Sequence, residues 1–125
     1  MTKLAFPTDD GETISKHLGQ ARYFQVITLE DGQVQSSERR DKASHSPQDH
    51  VHEPEGGIHP GQAMIDAIQD CQVLVSGGMG QPVYNRAISS GLEVYLTGED
   101  RIMDAIQAYR EGRLTSDTRR IHFHH

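Results

Sequence analysis

Val73-Leu74-Val75-Ser76-Gly77-Gly78-Met79-Gly80-Gln81-Pro82 is the stretch on which the reading of this chain turns. Four residues, three of them branched and apolar, make a short run that reads as a strand buried on both faces. A corner with three glycines in four residues follows at once, and Pro82 then suits the first turn of a helix, where its missing N–H costs nothing. That helix runs to about Ser90 and stops at Gly91. A buried strand, a glycine corner and a helix in that order make half of a parallel crossover unit.

Working outward, Glu93-Val94-Tyr95-Leu96 reads as the next strand. Glu99 and Asp100 place acids at the positive end of a further helix, whose inner face is expected to carry Ile102, Met103, Ile106 and Tyr109 before Gly112 ends it. Upstream, regular structure is expected from Gly61, with Met64, Ile65, Ile68 and Cys71 at helical spacing. The second half therefore alternates helix and strand, which requires parallel pairing through right-handed crossovers.

The first half has another rhythm. Lys3-Leu4-Ala5-Phe6 is a short apolar run ended by Pro7, followed by a turn at Thr8-Asp9-Asp10-Gly11. Tyr23 to Leu29 is rich in aromatic and β-branched residues and reads as a strand. Asp31-Gly32 signals a tight hairpin into a polar edge strand from Val34 to about Arg40. Taken together, the chain is an α/β protein with a five-stranded mixed sheet, one antiparallel hairpin strand and three helices. Residues 1–112 form a single domain in this reading, and residues 113–125 a polar C-terminal tail.

Composition sets the outer limits. The chain has 125 residues, enough for one domain with one core. Only 34% of them are hydrophobic, so a sizeable polar loop or tail is expected beside that core. No apolar run approaches the length of a membrane span, the first ten residues lack a signal peptide's apolar stretch, and Cys71 is the single cysteine. No membrane association is expected, and the cytoplasm is the natural compartment. A formal charge of -6, with only short basic clusters at Arg39-Arg40 and Arg119-Arg120, argues against a nucleic-acid partner.

Histidine is the compositional outlier, with 8 residues. Residues 41–60 hold three prolines, two glycines and four of the histidines, His45, His50, His52 and His59, with almost no aliphatic side chains. This segment is expected to be a long loop, and loops of that length in small domains are often functional. His50 and His52, with Asp49, Glu53 and Glu55 nearby, suit a divalent transition metal such as zinc, nickel, copper or iron. The spacing matches no closed structural zinc pattern, and a solvated low-complexity loop is the alternative. The terminal His122, His124 and His125 could also bind metal or be a remnant of a tag.

Three further features could carry chemistry. In the glycine corner, Ser76, Gly77, Gly78, Met79 and Gly80 could let backbone N–H groups approach an anion; the alternative is that they only turn a tight corner. No P-loop lysine and no complete dinucleotide fingerprint accompany them, so a nucleotide is not specified. His17, in Ser15-Lys16-His17-Leu18-Gly19, stands in the loop after the first strand, in the same layer of loops; the alternative is an exposed side chain with no ligand. Asp9 and Asp10 are paired carboxylates that could hold Mg²⁺ for phosphoester hydrolysis, although forming the turn before Gly11 is the expected role. Cys71, at the end of a helix beside Asp70, is expected to be a buried, inert thiol.

The ordered set of Phe6-Pro7-Thr8-Asp9-Asp10-Gly11, Ile14 to Phe24, the His-rich insertion, Val75 to Gly80 and Gly91-Leu92-Glu93-Val94-Tyr95 resembles the dinitrogenase iron–molybdenum cofactor biosynthesis family. This is the NifX/NafY-like domain, also found at the C-terminal end of NifB, and the resemblance covers residues 3 to about 112. It implies a ribonuclease-H-like fold and non-catalytic binding of an iron–sulfur or molybdenum-containing cluster, accessory to metallocofactor assembly. The family's His-Phe-Gly motif corresponds to His17-Leu18-Gly19, with Leu18 a departure that keeps the histidine, and its Gly-Gly-Met-Gly loop to Gly77 through Gly80. His17 is then the leading ligand, with His45, His50, His52 and His59 capturing or shielding the cargo. Partners would be cofactor-assembly or acceptor proteins, with the chain itself a monomer or weak homodimer.

Overall fold

The structure, a computed structural model, describes residues 1–41 and 64–122. Its centre is a five-stranded mixed sheet built from β1 (Thr2–Thr8), β2 (Tyr23–Glu30), β3 (Gln33–Asp41), β4 (Val73–Ser76) and, after the two-residue β5 (Met79–Gly80), β6 (Glu93–Leu96). The order across the sheet is β3-β2-β1-β4-β6. β2 pairs antiparallel with both β1 and β3, whereas β1, β4 and β6 run parallel. The hairpin turn is the one its sequence calls for: Asp31 and Gly32 both take positive φ, at 54° and 78°.

Helical structure comes from a turn at 64–66, α1 (Gln81–Ser89) and α2 (Ile102–Arg110). Pro82 lies in the first turn of α1, as its missing N–H allows. The sheet separates two apolar layers. Ala5, Phe24, Val26, Leu74 and Val94 pack on one side with Ile65, Ile68 and Ala87. Leu4, Phe6, Ile27, Val73 and Val75 pack on the other with Ile102, Ala105 and Ile106. Successive residues of β1, β2 and β4 thus enter opposite layers, and these strands read as largely apolar runs because both of their faces are covered, whereas β3 at the edge is polar and exposed.

Several expectations change at this level. β1 continues through Pro7 to Thr8, because its recorded pairing with β4 covers only Leu4 and Ala5 and leaves Pro7 needing no N–H on that side. Met103 is 61% exposed and is not on the inner face of α2, where Ala105 and Ala108 are buried instead. The reading of residues 113–125 as a polar tail also needs correction over its described part, residues 113–122. The Asp117 N–H donates to the Leu96 carbonyl (2.9 Å) and the Leu96 N–H to Ser116 Oγ (3.1 Å), so this segment covers the free edge of β6. A 3-10 turn (Thr118–Arg120) then leads into β7 (Ile121–His122), which pairs parallel with β5 and buries Ile121 against the first layer.

The long segment between β3 and the turn at 64–66, with His45, His50, His52 and His59, lies outside the described residues, as do His124 and His125. Its two flanks are tied together. Arg40, at the end of β3, donates to the Ala67 carbonyl (3.1 Å) and to the Asp70 carboxylate (2.5 Å), which also accepts from Lys3 Nζ (3.0 Å). These bonds hold the Asp70 carboxyl down at about 2.

Candidate functional site

β1 and β4 run parallel and end at the same rim, so the loops that follow them meet there. Ser15 is the joint. Its N–H donates to the Pro7 carbonyl at the end of β1 (2.8 Å), and its carbonyl accepts from the Gly77 N–H just beyond β4 (2.9 Å). One turn later the Leu18 N–H donates to the Gly78 carbonyl (3.0 Å). His17 therefore stands between two backbone fastenings. Ser15 Oγ closes the bend around it, donating to the His17 carbonyl (3.0 Å) and accepting from the His17 N–H (3.1 Å).

This approach explains Gly77. A Cβ there would lie 2.9 Å from Lys16 Cα and 2.9 Å from the Ser15 carbonyl oxygen, both backbone atoms that cannot swing aside. The corner is a packing device. The Gly78 N–H donates to Ser76 Oγ (3.1 Å), which in turn donates to the Gly78 carbonyl (2.8 Å). The expectation that Gly77 and Gly78 offer N–H groups to an anion is corrected here: both donors are committed inward. Ser76 and Met79 are buried, so neither presents its side chain at the surface, and Gly80 continues into α1.

At the surface, His17 and Lys16 are exposed and border an open cleft of ≈ 630 Å³ with Asp9, Thr13, Ile14, Ser15, Gln20 and Asp100. Gly19 is exposed beside them, and a Cβ there would meet nothing within 4 Å. The sequence reading did not single out Lys16, whose only signal was its place next to His17. Leu18, by contrast, is fully buried and anchors the loop from below through the first apolar layer.

The carboxylates nearby do structural work. Asp10 Oδ1 accepts from the backbone N–H groups of Thr13 (2.8 Å) and Glu12 (2.9 Å), and those bonds pull its pKa down to about 2. Asp9 Oδ1 accepts from the Arg22 N–H (2.9 Å). Among the described residues no three His, Cys, Asp or Glu side chains gather to hold a metal ion. Cys71 is buried, and burial followed by the neighbouring Asp70 charge pushes its thiol up to about 11. None of the helices in the described residues is long and apolar enough to cross a membrane.

The fold and site define an α/β domain that presents one loop histidine at the carboxyl ends of two parallel strands, a rim where open α/β sheets place ligands. The sequence profile described as dinitrogenase iron–molybdenum cofactor matches residues 1–112, and the chain belongs to that family. MJ0580 of Methanocaldococcus jannaschii is 22% identical over 114 residues, covering 91% of this chain and 90% of its own length. Among solved structures, PH0822 superposes with a TM-score of 0.69 at 25% identity, over 93% of this chain and 96% of that one. TM1290 of Thermotoga, described as a candidate NifB protein, gives 0.64 at 21% identity over 93% of each chain, a likeness of fold alone.

Proposed function

We propose that this chain is a non-catalytic carrier of an iron–sulfur or molybdenum-containing cluster, accessory to metallocofactor assembly, with His17 as its ligand at the β1–β4 rim. The observation that carries the reading is His17 itself: an exposed imidazole on a loop pinned on either side by backbone hydrogen bonds to Gly77 and Gly78. Neutral imidazole is a good ligand for transition metals, and a fixed loop lowers the entropy lost on binding. One side-chain ligand suits a preassembled cargo that brings its own sulfur and is later released. Lys16 and the exposed Gly19 border the same place, the first complementing an anionic cargo and the second leaving it room.

Family membership supports the accessory role, and the commitment of Asp10 to turn hydrogen bonds speaks against Mg²⁺-dependent hydrolysis there. The strand order with β2 antiparallel supports the ribonuclease-H-like assignment. The partners in this reading are assembly or acceptor proteins rather than nucleic acid, met in the cytoplasm by a monomer or weak homodimer. The family match ends at residue 112, while residues 113–122 pack against β6 and β5 as part of the same domain.

The test is anaerobic reconstitution with iron and sulfide, or with isolated iron–molybdenum cofactor, followed by visible absorption and metal analysis. His17→Ala is expected to lose most of the bound cluster while the fourfold replacement of His45, His50, His52 and His59 keeps most of it. The reverse pattern, with zinc, nickel or copper binding lost in the fourfold variant, would establish a divalent-metal buffer or sensor instead. Metal-dependent phosphoester turnover that disappears in Asp10→Asn would make the chain an enzyme.

A further inference from the structure

Among the described residues the large apolar side chains that stand exposed are Met1, Val34, Ile88 and Met103, and two of them, Val34 and Met103, meet in one groove. The groove, of ≈ 390 Å³, lies between the first turn of α2 and the second-layer face of β2 and β3. Buried Ile27 and Ile102 form its floor, with Val34 (42% exposed) on one side and Met103 (61% exposed) on the other. Val34 pairs with Leu29 and Ser37 with Ile27, so both face the layer that contains Ile102, yet α2 leaves them uncovered. Single exposed apolar side chains need no explanation. Two that converge on an apolar floor inside a charged rim mark a place where another molecule sits.

The rim decides what kind of molecule. Glu12 and Asp104 bring exposed carboxylates to the groove, and neither makes a side-chain hydrogen bond or ion pair with another described residue. Asp9, Asp10 and Asp100 add exposed carboxylates in the same two segments, 9–12 and 100–104. Backbone bonds tie these segments together: the Ile102 N–H donates to the Glu12 carbonyl (2.9 Å) and the Ile14 N–H to the Asp100 carbonyl (2.8 Å). Among the described residues lining the groove, Arg101 is the single cation. A fixed excess of carboxylates around an apolar floor attracts a basic surface and repels an acidic one. It is no metal site, since no three metal-binding side chains gather among the described residues. A second copy fits poorly too, because a two-fold contact would set this acidic rim against itself in a chain already at -6.

We infer that this groove is the docking site of a partner protein that lays an apolar side chain between Val34 and Met103 and sets lysines or arginines against Glu12 and Asp104. Thr13 borders both this groove and the cleft of His17, so a partner seated here stands beside the cargo loop. A part in cargo transfer rests on the carrier reading; the docking itself requires no cluster.

The test titrates the whole cluster-free chain, followed by methyl and amide NMR, with three short peptides of equal length. One is built of leucine and lysine, one of leucine and glutamate, and one of serine and lysine. The leucine–lysine peptide is expected to shift the Val34 and Met103 methyl signals saturably and to bind about tenfold more tightly than either of the others. Val34→Thr with Met103→Ser, both at exposed positions, should weaken that binding about tenfold, and Glu12→Gln with Asp104→Asn about fivefold, the second effect fading in high salt. His17→Ala should bind the peptide as wild type does, so a failure here and a failure of cluster binding are told apart. Equal binding of the leucine–glutamate or the serine–lysine peptide would overturn the inference, as would unmoved Val34 and Met103 signals or undiminished binding by the Val34→Thr, Met103→Ser variant. Sedimentation showing a dimer that the same variant abolishes would assign the groove to a second copy and overturn it equally.

Discussion

Gly77 concentrates the logic of the rim in one residue. Its N–H reaches the Ser15 carbonyl because no Cβ stands between them, and the available space is set by backbone atoms of Ser15 and Lys16. Gly77→Ala is therefore expected to destabilise the fold by about 1–3 kcal/mol, as overpacking against an unyielding wall does, and to reduce cluster retention as well. Urea unfolding gives the first effect and metal analysis the second; a stable Gly77→Ala variant would mean the loop can retreat. Asp10 offers a prediction in pH. Its folded pKa of about 2 lies below its ordinary 3.8, so it stabilises the native state fully above about pH 5 and the contribution fades as pH falls towards 2. Asp10→Asn should be less stable than wild type at neutral pH by about 1 kcal/mol, discounted for exposure, and the gap should close in acid. The place of His17 was legible in the sequence because it follows the first strand within a short loop. The inward commitment of the Gly77 and Gly78 N–H groups was not, since a glycine corner reads the same whether its donors face a ligand or the protein.

At the level of elements, the long apolar runs were readable and the short ones were not. Val73–Ser76 and Glu93–Leu96 each carry enough branched or aromatic residues to declare a strand, the first of them buried on both faces. β5 and β7 have two residues each, too few for any periodicity, and Ile121 is a lone apolar residue between Arg120 and His122. Its burial depends on meeting Met79 across β5, a contact that no local pattern encodes. On α2 the sequence reading followed large side chains and so admitted Met103, whereas the helix packs through Ile102, Ala105, Ile106 and Ala108, with alanines allowing close approach to the sheet. The prediction belonging to this scale is that Ile121→Ala costs about 2–4 kcal/mol, much more than truncation in a true tail would. Amide hydrogen exchange at Met79 and Gly80 should accelerate in the same variant. Unchanged stability and protection would return residues 113–122 to the status of a tail.

For the molecule as a whole, the decisive fact is that one sheet serves two apolar layers, so neither layer can form without the strands that define the other. Ile68 is buried in the first layer and Ile106 in the second, on opposite faces of β1 and β4. The sequence disclosed this arrangement because strands covered on both sides must be apolar throughout, and alternating helices can cover both sides only through crossovers. It left unstated which face each helix takes, since the amphipathic pattern fixes the inner stripe of a helix and not the side of the sheet it meets. A chain of 125 residues with such a shared sheet should unfold in one cooperative step. Ile68→Ala and Ile106→Ala are each expected to cost about 2–5 kcal/mol and to move the same single transition in urea. Both should also raise the exchange rates of the Leu4 and Ala5 amides in β1, although neither substituted residue belongs to that strand. Two separate transitions, each responding to only one substitution, would show that the layers are held independently, and the rim between β1 and β4 would then lack the rigid base on which the fixed position of His17 depends.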